Sequence, residues 1–241
     1  MIPSPPFSPR VRPPGAGFVV AIDGPAASGK SSTAQWVADS VGFRHLDSGS
    51  LYRAATAAVL EAAGAGSTWT EDDVLRAAAG IKLEPLARSF VPARNAVSLE
   101  EAIRGPEVTR LVSRVARMPA VRAWVNEQVR RTASGQNVVV DGRDIGSVVF
   151  PDAEVKIFLV ADPWERARRR LIQSAGRAPT DGEIAEETER LVQRDARDAT
   201  QSAQAPDAIL IDTTYLTQQE QVERIVALIR VVMTREDAPG H

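Results

Sequence analysis

A lysine and a hydroxyl placed behind a glycine turn can hold a triphosphate, and residues 24–31 supply that arrangement as Gly24-Pro25-Ala26-Ala27-Ser28-Gly29-Lys30-Ser31. The string follows the apolar run Phe18-Val19-Val20-Ala21-Ile22 and precedes Ala34, Val37, Ala38 and Val41 at helical spacing. A strand, a tight turn and a helix are expected in that order. Backbone N–H groups of such a turn converge on phosphates, and the helix adds its positive end. Lys30 is then placed for the β and γ oxygens of a nucleoside triphosphate and Ser31 for its Mg²⁺.

Two further segments carry chemistry. Asp141-Gly142-Arg143-Asp144-Ile145-Gly146 ends the apolar run Val138-Val139-Val140 with two acids and an arginine between two glycines. Arg143 can fork onto a phosphate, and Asp144 can accept from an amine or a hydroxyl. Asp47-Ser48-Gly49-Ser50-Leu51-Tyr52-Arg53 opens a helix, so Ser48, Tyr52 and Arg53 can point toward the same crevice, although Asp-Ser-Gly is also ordinary capping chemistry. Arg166, Arg168, Arg169 and Arg170 crowd one helix, where at most two share a face. Those facing a loop can offset the charge of transferring phosphates; the others form a solvated charged surface.

The elements that must position these groups alternate. Strands are expected at Phe18–Ile22, Phe43–Leu46, Asn137–Asp141, Val155–Val160 and Ala208–Ile211. Helices are expected at Lys30–Val41, Gly49–Ala63, from Thr70 to about Ala79, Glu107–Arg117, Pro119–Ala133, Pro163–Ser174, Asp181–Asp198 and Gln218–Met233. The fold class is therefore α/β, a parallel sheet with helices on both faces, and ligands of such sheets sit beyond the carboxyl ends of the strands. Short extended pieces at Ile81–Leu83, Phe90-Val91 and Ala96–Leu99, after the Gly64-Ala65-Gly66 break, form a small β insertion.

The 241 residues carry a formal net charge of −2, so no overall field draws the chain to nucleic acid or membranes. Three lysines stand against 26 arginines, which gives the lysine at position 30 added weight. The absence of cysteine excludes disulfides and thiolate chemistry, and two histidines, His45 and His241, exclude a histidine metal cluster. No apolar stretch is long enough to span a bilayer, and residues 1–17 read as a mobile proline-rich extension to a folded domain over 18–241. A cytoplasmic monomer is expected.

From Phe18 to the C-terminus the chain resembles the bacterial-type cytidylate kinases, which are P-loop nucleoside monophosphate kinases. The resemblance rests on the phosphate loop, on Asp47-Ser48-Gly49-x-x-Tyr52-Arg53, and above all on the string from Asp141-Gly142-Arg143-Asp144 to Phe150-Pro151-Asp152-Ala153. It implies transfer of the γ-phosphoryl of ATP, with Mg²⁺, to CMP or dCMP, giving CDP or dCDP and ADP in pyrimidine nucleotide metabolism. It places ATP on Gly24, Pro25, Ala26, Ala27, Ser28, Gly29, Lys30, Ser31 and Ser32. It places CMP on Ser48, Tyr52, Arg53, Ser113, Arg122, Arg143, Asp144, Arg194 and Asp198, with Arg169 and Arg170 as lid arginines. Residues 64–105 correspond to the inserted monophosphate-binding subdomain and about 168–185 to a short lid. The chain departs from the family at Gln201, where an arginine is usual, and across Gln173–Glu183. From the residues alone, a kinase for UMP or a sugar, a nucleotide-dependent switch, and a kinase with decayed base contacts stay open.

Overall fold

The computed structural model describes residues 15–65 and 68–236. Most of the proline-rich extension, together with Gly66 and His241, lies outside the described residues. In chain order the elements are β1 (Val19–Asp23), α1 (Lys30–Val41), β2 (Arg44–Asp47), α2 (Ser48–Ala63), α3 (Glu71–Ala77), β3 (Ile81–Pro85), β4 (Phe90–Arg94) and β5 (Val97–Ser98). They continue with α4 (Pro106–Val115), α5 (Pro119–Ala133), β6 (Val138–Gly142), β7 (Val155–Val160), α6 (Pro163–Ala175), α7 (Asp181–Asp198), β8 (Ile209–Asp212) and α8 (Gln218–Glu236).

Five strands make one parallel sheet in the order β2-β6-β1-β7-β8. Its strands are apolar on both sides, as a sheet covered on two faces requires. Val20 and Ile22 of β1 pack with Val139, Ile157, α1 and α8 on one face, while Ala21 packs with Leu46, Val138, Val140, α2 and α5 on the other. This alternation is the period of two along a strand. Because β6 lies between β1 and β2, the chain leaves β1 in one direction and later crosses it in the other. The crevice at that reversal, beyond the carboxyl ends, is where α/β sheets bind ligands.

The inserted segment is a three-stranded antiparallel sheet, β3-β4-β5, preceded by α3. The α3 start is held as its sequence indicates: Asp73 N donates to Thr70 Oγ1 and Thr70 N to the Asp73 carboxylate. The insertion meets the main sheet at β2, where His45 N donates to Arg88 O at 2.9 Å.

The expected boundaries of β1, β2, β6 and β8 move by one residue toward the C-terminus. An apolar run marks where side chains are buried, whereas pairing is a property of the backbone. The ladder continues into the polar residues, pairing Asp23 with Gly142 and Asp47 with Asp141. A π-type turn over Ile145–Val149 was not expected and follows directly on Asp144.

Candidate active site

The phosphate loop leaves β1 at Gly24, whose φ is 151°, and enters α1 through Gly29 at φ 85°. A Cβ on Gly24 would lie 2.2 Å from Leu159 O of β7, so only glycine fits this approach. No side chain caps α1, which leaves its first N–H groups directed at the crevice. The Lys30 ammonium donates to Pro25 O at 2.8 Å and so arches over the loop. Burial, and then the nearby Arg143 charge, lower its pKa to about 8.

The loop is braced from the side by α6 and α7. Buried Arg166 donates to Ala26 O at 2.8 Å and to Asp195 Oδ2 at 2.6 Å, while Ala26 N donates to Asp195 Oδ1 at 3.3 Å. Ala26 also packs with Ala167, Ile184 and Leu191, the contact surface between those helices. Sequence reasoning treated Arg166 as one of a charged group; its contact with the loop depends on which face of α6 turns inward.

The second floor of the crevice is the end of β6. Asp141 Oδ2 accepts from Ser31 Oγ at 2.6 Å, and Asp141 Oδ1 from His45 Nε2 at 2.6 Å. The adjacent Asp47 is pushed up to about pH 6 by burial and by the Asp141 charge. His45 is raised: burial acts against its charged form, but the hydrogen bond and charge of Asp141 outweigh burial. Beyond Asp141, the Asp144 carboxylate pairs with the Arg122 guanidinium, and Arg143 reaches Asp198 at 3.1 Å. The turn carrying these groups hangs on Asp23, which accepts from Ile145 N at 2.8 Å and Gly146 N at 2.7 Å. Burial raises the Asp23 carboxyl to about 6 against those two bonds.

The phosphate loop, the end of β6 and the Arg143–Asp144 turn open on one cleft of about 1510 Å³. Ala26 to Ser32, Ser48, Tyr52, Arg53, Ser113, Arg122, Arg143, Asp144, Arg169, Arg170, Arg194 and Asp198 line it; Gly24 and Pro25 form the loop backbone behind it. The cleft is rich in positive charge. Arg194 is lowered by burial and then by the neighbouring Arg143, Arg170 and Arg53, although Asp198 opposes this. Arg53, also lowered chiefly by burial, bonds Thr109 Oγ1 at 3.2 Å. Crowded guanidiniums of this kind are stabilised by a polyanion. Gln201 lies in the same cleft, with its oxygen 3.5 Å from Arg122 Nη1.

Two expected lid arginines already have partners. Arg169 donates to Thr213 O at 2.7 Å and Thr214 O at 2.9 Å, with Nε on Glu165, which ties it to the β8–α8 loop. Arg170 pairs with Glu187 of α7 at 3.2 Å. Side chains that brace the site and were not singled out for it in the sequence are Asp23, His45 and Asp195, and neither the Ser31–Asp141 bond nor the contact of Arg166 with Ala26 was expected. The one local signal was an acid at or next to the carboxyl end of a strand, at Asp23 of β1, Asp47 of β2 and Asp141 of β6.

Comparison with known proteins now adds to this geometry. The family model described as cytidylate kinase matches residues 20–231. The chain belongs to the cytidylate kinase family. A cytidylate kinase of Limosilactobacillus fermentum is 38% identical over 231 residues, covering 91% of this chain and 99% of that one. One from Chromobacterium violaceum is 41% identical over 228 residues, covering 92% and 98%. Another, from Thermotoga maritima, is 38% identical over 221 residues, covering 89% and 97%. Membership of a kinase family makes phosphoryl transfer the chemistry of this chain. No described helix is long and apolar enough to cross a membrane.

Proposed function

We propose that the protein transfers the γ-phosphoryl group of ATP to CMP or dCMP, producing ADP and CDP or dCDP. The observation that carries this reading is the sharing of one cleft by the phosphate loop and the Arg143–Asp144 turn, with Arg53, Arg170 and Arg194 beside them. The loop N–H groups and Lys30 hold the donor phosphates. Arg53 and Arg143 hold the acceptor phosphate, whose oxygen is already anionic and attacks in line without a protein nucleophile or an obligatory base. Arg143, Arg170 and Lys30 then offset charge spreading over the transferred group. Arg169 and Arg170 reach those phosphates by giving up Thr213, Thr214 and Glu187 as the helices close.

Cytosine recognition follows from Asp144 and Arg122. The exocyclic amine donates to the carboxylate, and the guanidinium donates to ring acceptors; uracil presents a carbonyl to Asp144 instead. Ser48 adds a hydroxyl at the same turn, donating to Asp141 O at 2.8 Å. Tyr52, Ser113, Arg194 and Asp198 complete the acceptor side.

The donor set fits Mg²⁺. Ser31 Oγ and Asp141 Oδ2 are hard oxygens 2.6 Å apart, and the described residues hold no cluster of three or more carboxylate or imidazole groups that would form a separate metal cage. An ion held by one or two protein oxygens with phosphate oxygens and water suits such a site. Bound there, Mg²⁺ supplies neutralisation of the β and γ oxygens. With that product the enzyme serves pyrimidine nucleotide metabolism, and a cytoplasmic monomer is the form proposed for it.

The test is an ADP-release assay with Mg-ATP and CMP, dCMP, UMP or AMP offered separately, with Lys30→Ala as control. Turnover confined to the cytidine nucleotides and absent from Lys30→Ala supports the reading. Turnover with UMP or AMP alone, or with none, overturns it.

A further inference from the structure

We propose that His45 is a positioning residue for the metal-nucleotide site, holding Asp141 so that its second oxygen stays on Ser31. The inference rests on the donor-site reading above and assigns a role to a side chain which that reading does not use. Ser31 and Gln35 stand one turn apart on the same face of α1. From Gln35 Oε1 to His45 Nδ1 is 3.1 Å, from His45 Nε2 to Asp141 Oδ1 2.6 Å, and from Asp141 Oδ2 to Ser31 Oγ 2.6 Å. The four side chains thus close a ring that binds the first turns of α1 to the ends of β2 and β6.

A histidine that only filled the core would satisfy its nitrogens on groups with no further task. Here one partner is the carboxylate that meets the phosphate-loop serine, and both are within 10% of full side-chain burial. The Gln35 amide nitrogen is engaged by Asp39 at 3.3 Å, which leaves its oxygen for the ring. Asp47 stands two residues along the same strand, and Asp39 faces the ring from α1, so acidic groups surround the imidazole on both elements. Without the ring, Asp141 loses the bond that fixes its rotation and faces Asp47 with less compensating charge. Partners that orient a metal-binding carboxylate typically change metal affinity by about 10–100-fold.

The experiment is calorimetric titration of ATP in Mg²⁺ and in EDTA, with wild type, His45→Phe, His45→Gln and Gln35→Leu, together with CMP titration. In the wild type, Mg²⁺ strengthens ATP binding. In His45→Phe that gain shrinks roughly tenfold, while metal-free ATP and CMP bind as in the wild type. His45→Gln, whose amide nitrogen can reach the Nε2 position, restores most of the gain, and Gln35→Leu loses part of it. In turnover, His45→Phe needs about tenfold more Mg²⁺ at an unchanged KM for CMP. A full Mg²⁺ gain in His45→Phe overturns the inference, as does equal weakening of Mg-ATP, metal-free ATP and CMP. If His45→Phe does not fold, Gln35→Leu decides by the same criteria, because its residue is only partly buried. A wild type without any Mg²⁺ gain overturns the donor-site reading itself, and the two failures are therefore distinct.

Discussion

At the scale of single residues, the site is a set of charges held in place before substrate arrives. Lys30 is the donor-side example: it is bonded to its own loop at Pro25 O and surrounded by Arg143 on one side and Asp141, Asp23 and Asp47 on the other. Lys30→Ala is expected to keep the far-UV circular dichroism of the wild type and to lose at least 100-fold in kcat/KM, in line with removal of one group that stabilises charge in the transition state. Retained turnover in that variant removes Lys30 from the mechanism. The depressed pKa has a sign that can be checked. The ammonium form predominates below about pH 8 and is lost above it. The kcat/KM for ATP should accordingly fall on the alkaline side, with an inflection near that value in the free enzyme. Glycine 24 gives a steric prediction: Gly24→Ala forces a Cβ against Leu159 O at 2.2 Å and should abolish ATP binding and lower the melting temperature. On the acceptor side, Asp144→Asn replaces an acceptor by a group that also donates, and the CMP over UMP preference in competition assays should collapse.

Elements meet at this site chiefly through their ends. β1 ends in Asp23, which carries the turn after β6; β2 ends in Asp47, which caps α2 by accepting from Gly49 N at 2.8 Å; and α6 and α7 clamp Ala26. The clamp makes an element-scale prediction. Arg166 is 5% exposed and paired with Asp195, so Asp195→Ala strands a buried guanidinium, and breaking such a pair costs about 3–5 kcal/mol. Urea denaturation should show a loss of that order, and KM for ATP should rise more than KM for CMP because Ala26 belongs to the donor loop. A stability loss with both KM values unchanged would leave the clamp as a packing feature only.

For the molecule as a whole, the β2-β6-β1-β7-β8 order brings the phosphate loop after β1 beside the Arg143–Asp144 turn after β6, with two hydrophobic clusters filling the two faces of the sheet. The helices α6 and α7 pack on a smaller cluster of their own through Ala167, Ile184 and Leu191, while residues 173–178 between them are exposed. Regions with few buried contacts open and close most readily. Protease cleavage in that connection should therefore slow when ATP and CMP are both present and much less with CMP alone. A saturating ligand at about 100 times its Kd adds about 2.7 kcal/mol of stability by mass action, so the melting temperature should rise with Mg-ATP. Equal cleavage with and without ligands would show that these helices do not close over the nucleotides.

By itself the sequence determined the parts whose physics is local. The apolar runs at Val19 and Val138 mark strands, Thr70 marks a helix start with its acid three residues on, and Gly24 to Ser31 marks the phosphate turn, because each depends on neighbours in the chain. The helices at Lys30–Val41, Pro119–Ala133 and Asp181–Asp198 stand where their periodicity places them. The tertiary structure alone decided which charged groups meet. His45 finds Asp141 across 96 positions, Asp23 finds Ile145 across 122, and Arg166 finds Ala26 across 140. No spacing rule links residues so far apart. They meet because parallel pairing brings the carboxyl ends of β1, β2 and β6 together, and pairing is made by a backbone whose hydrogen bonds are blind to the side chains they align.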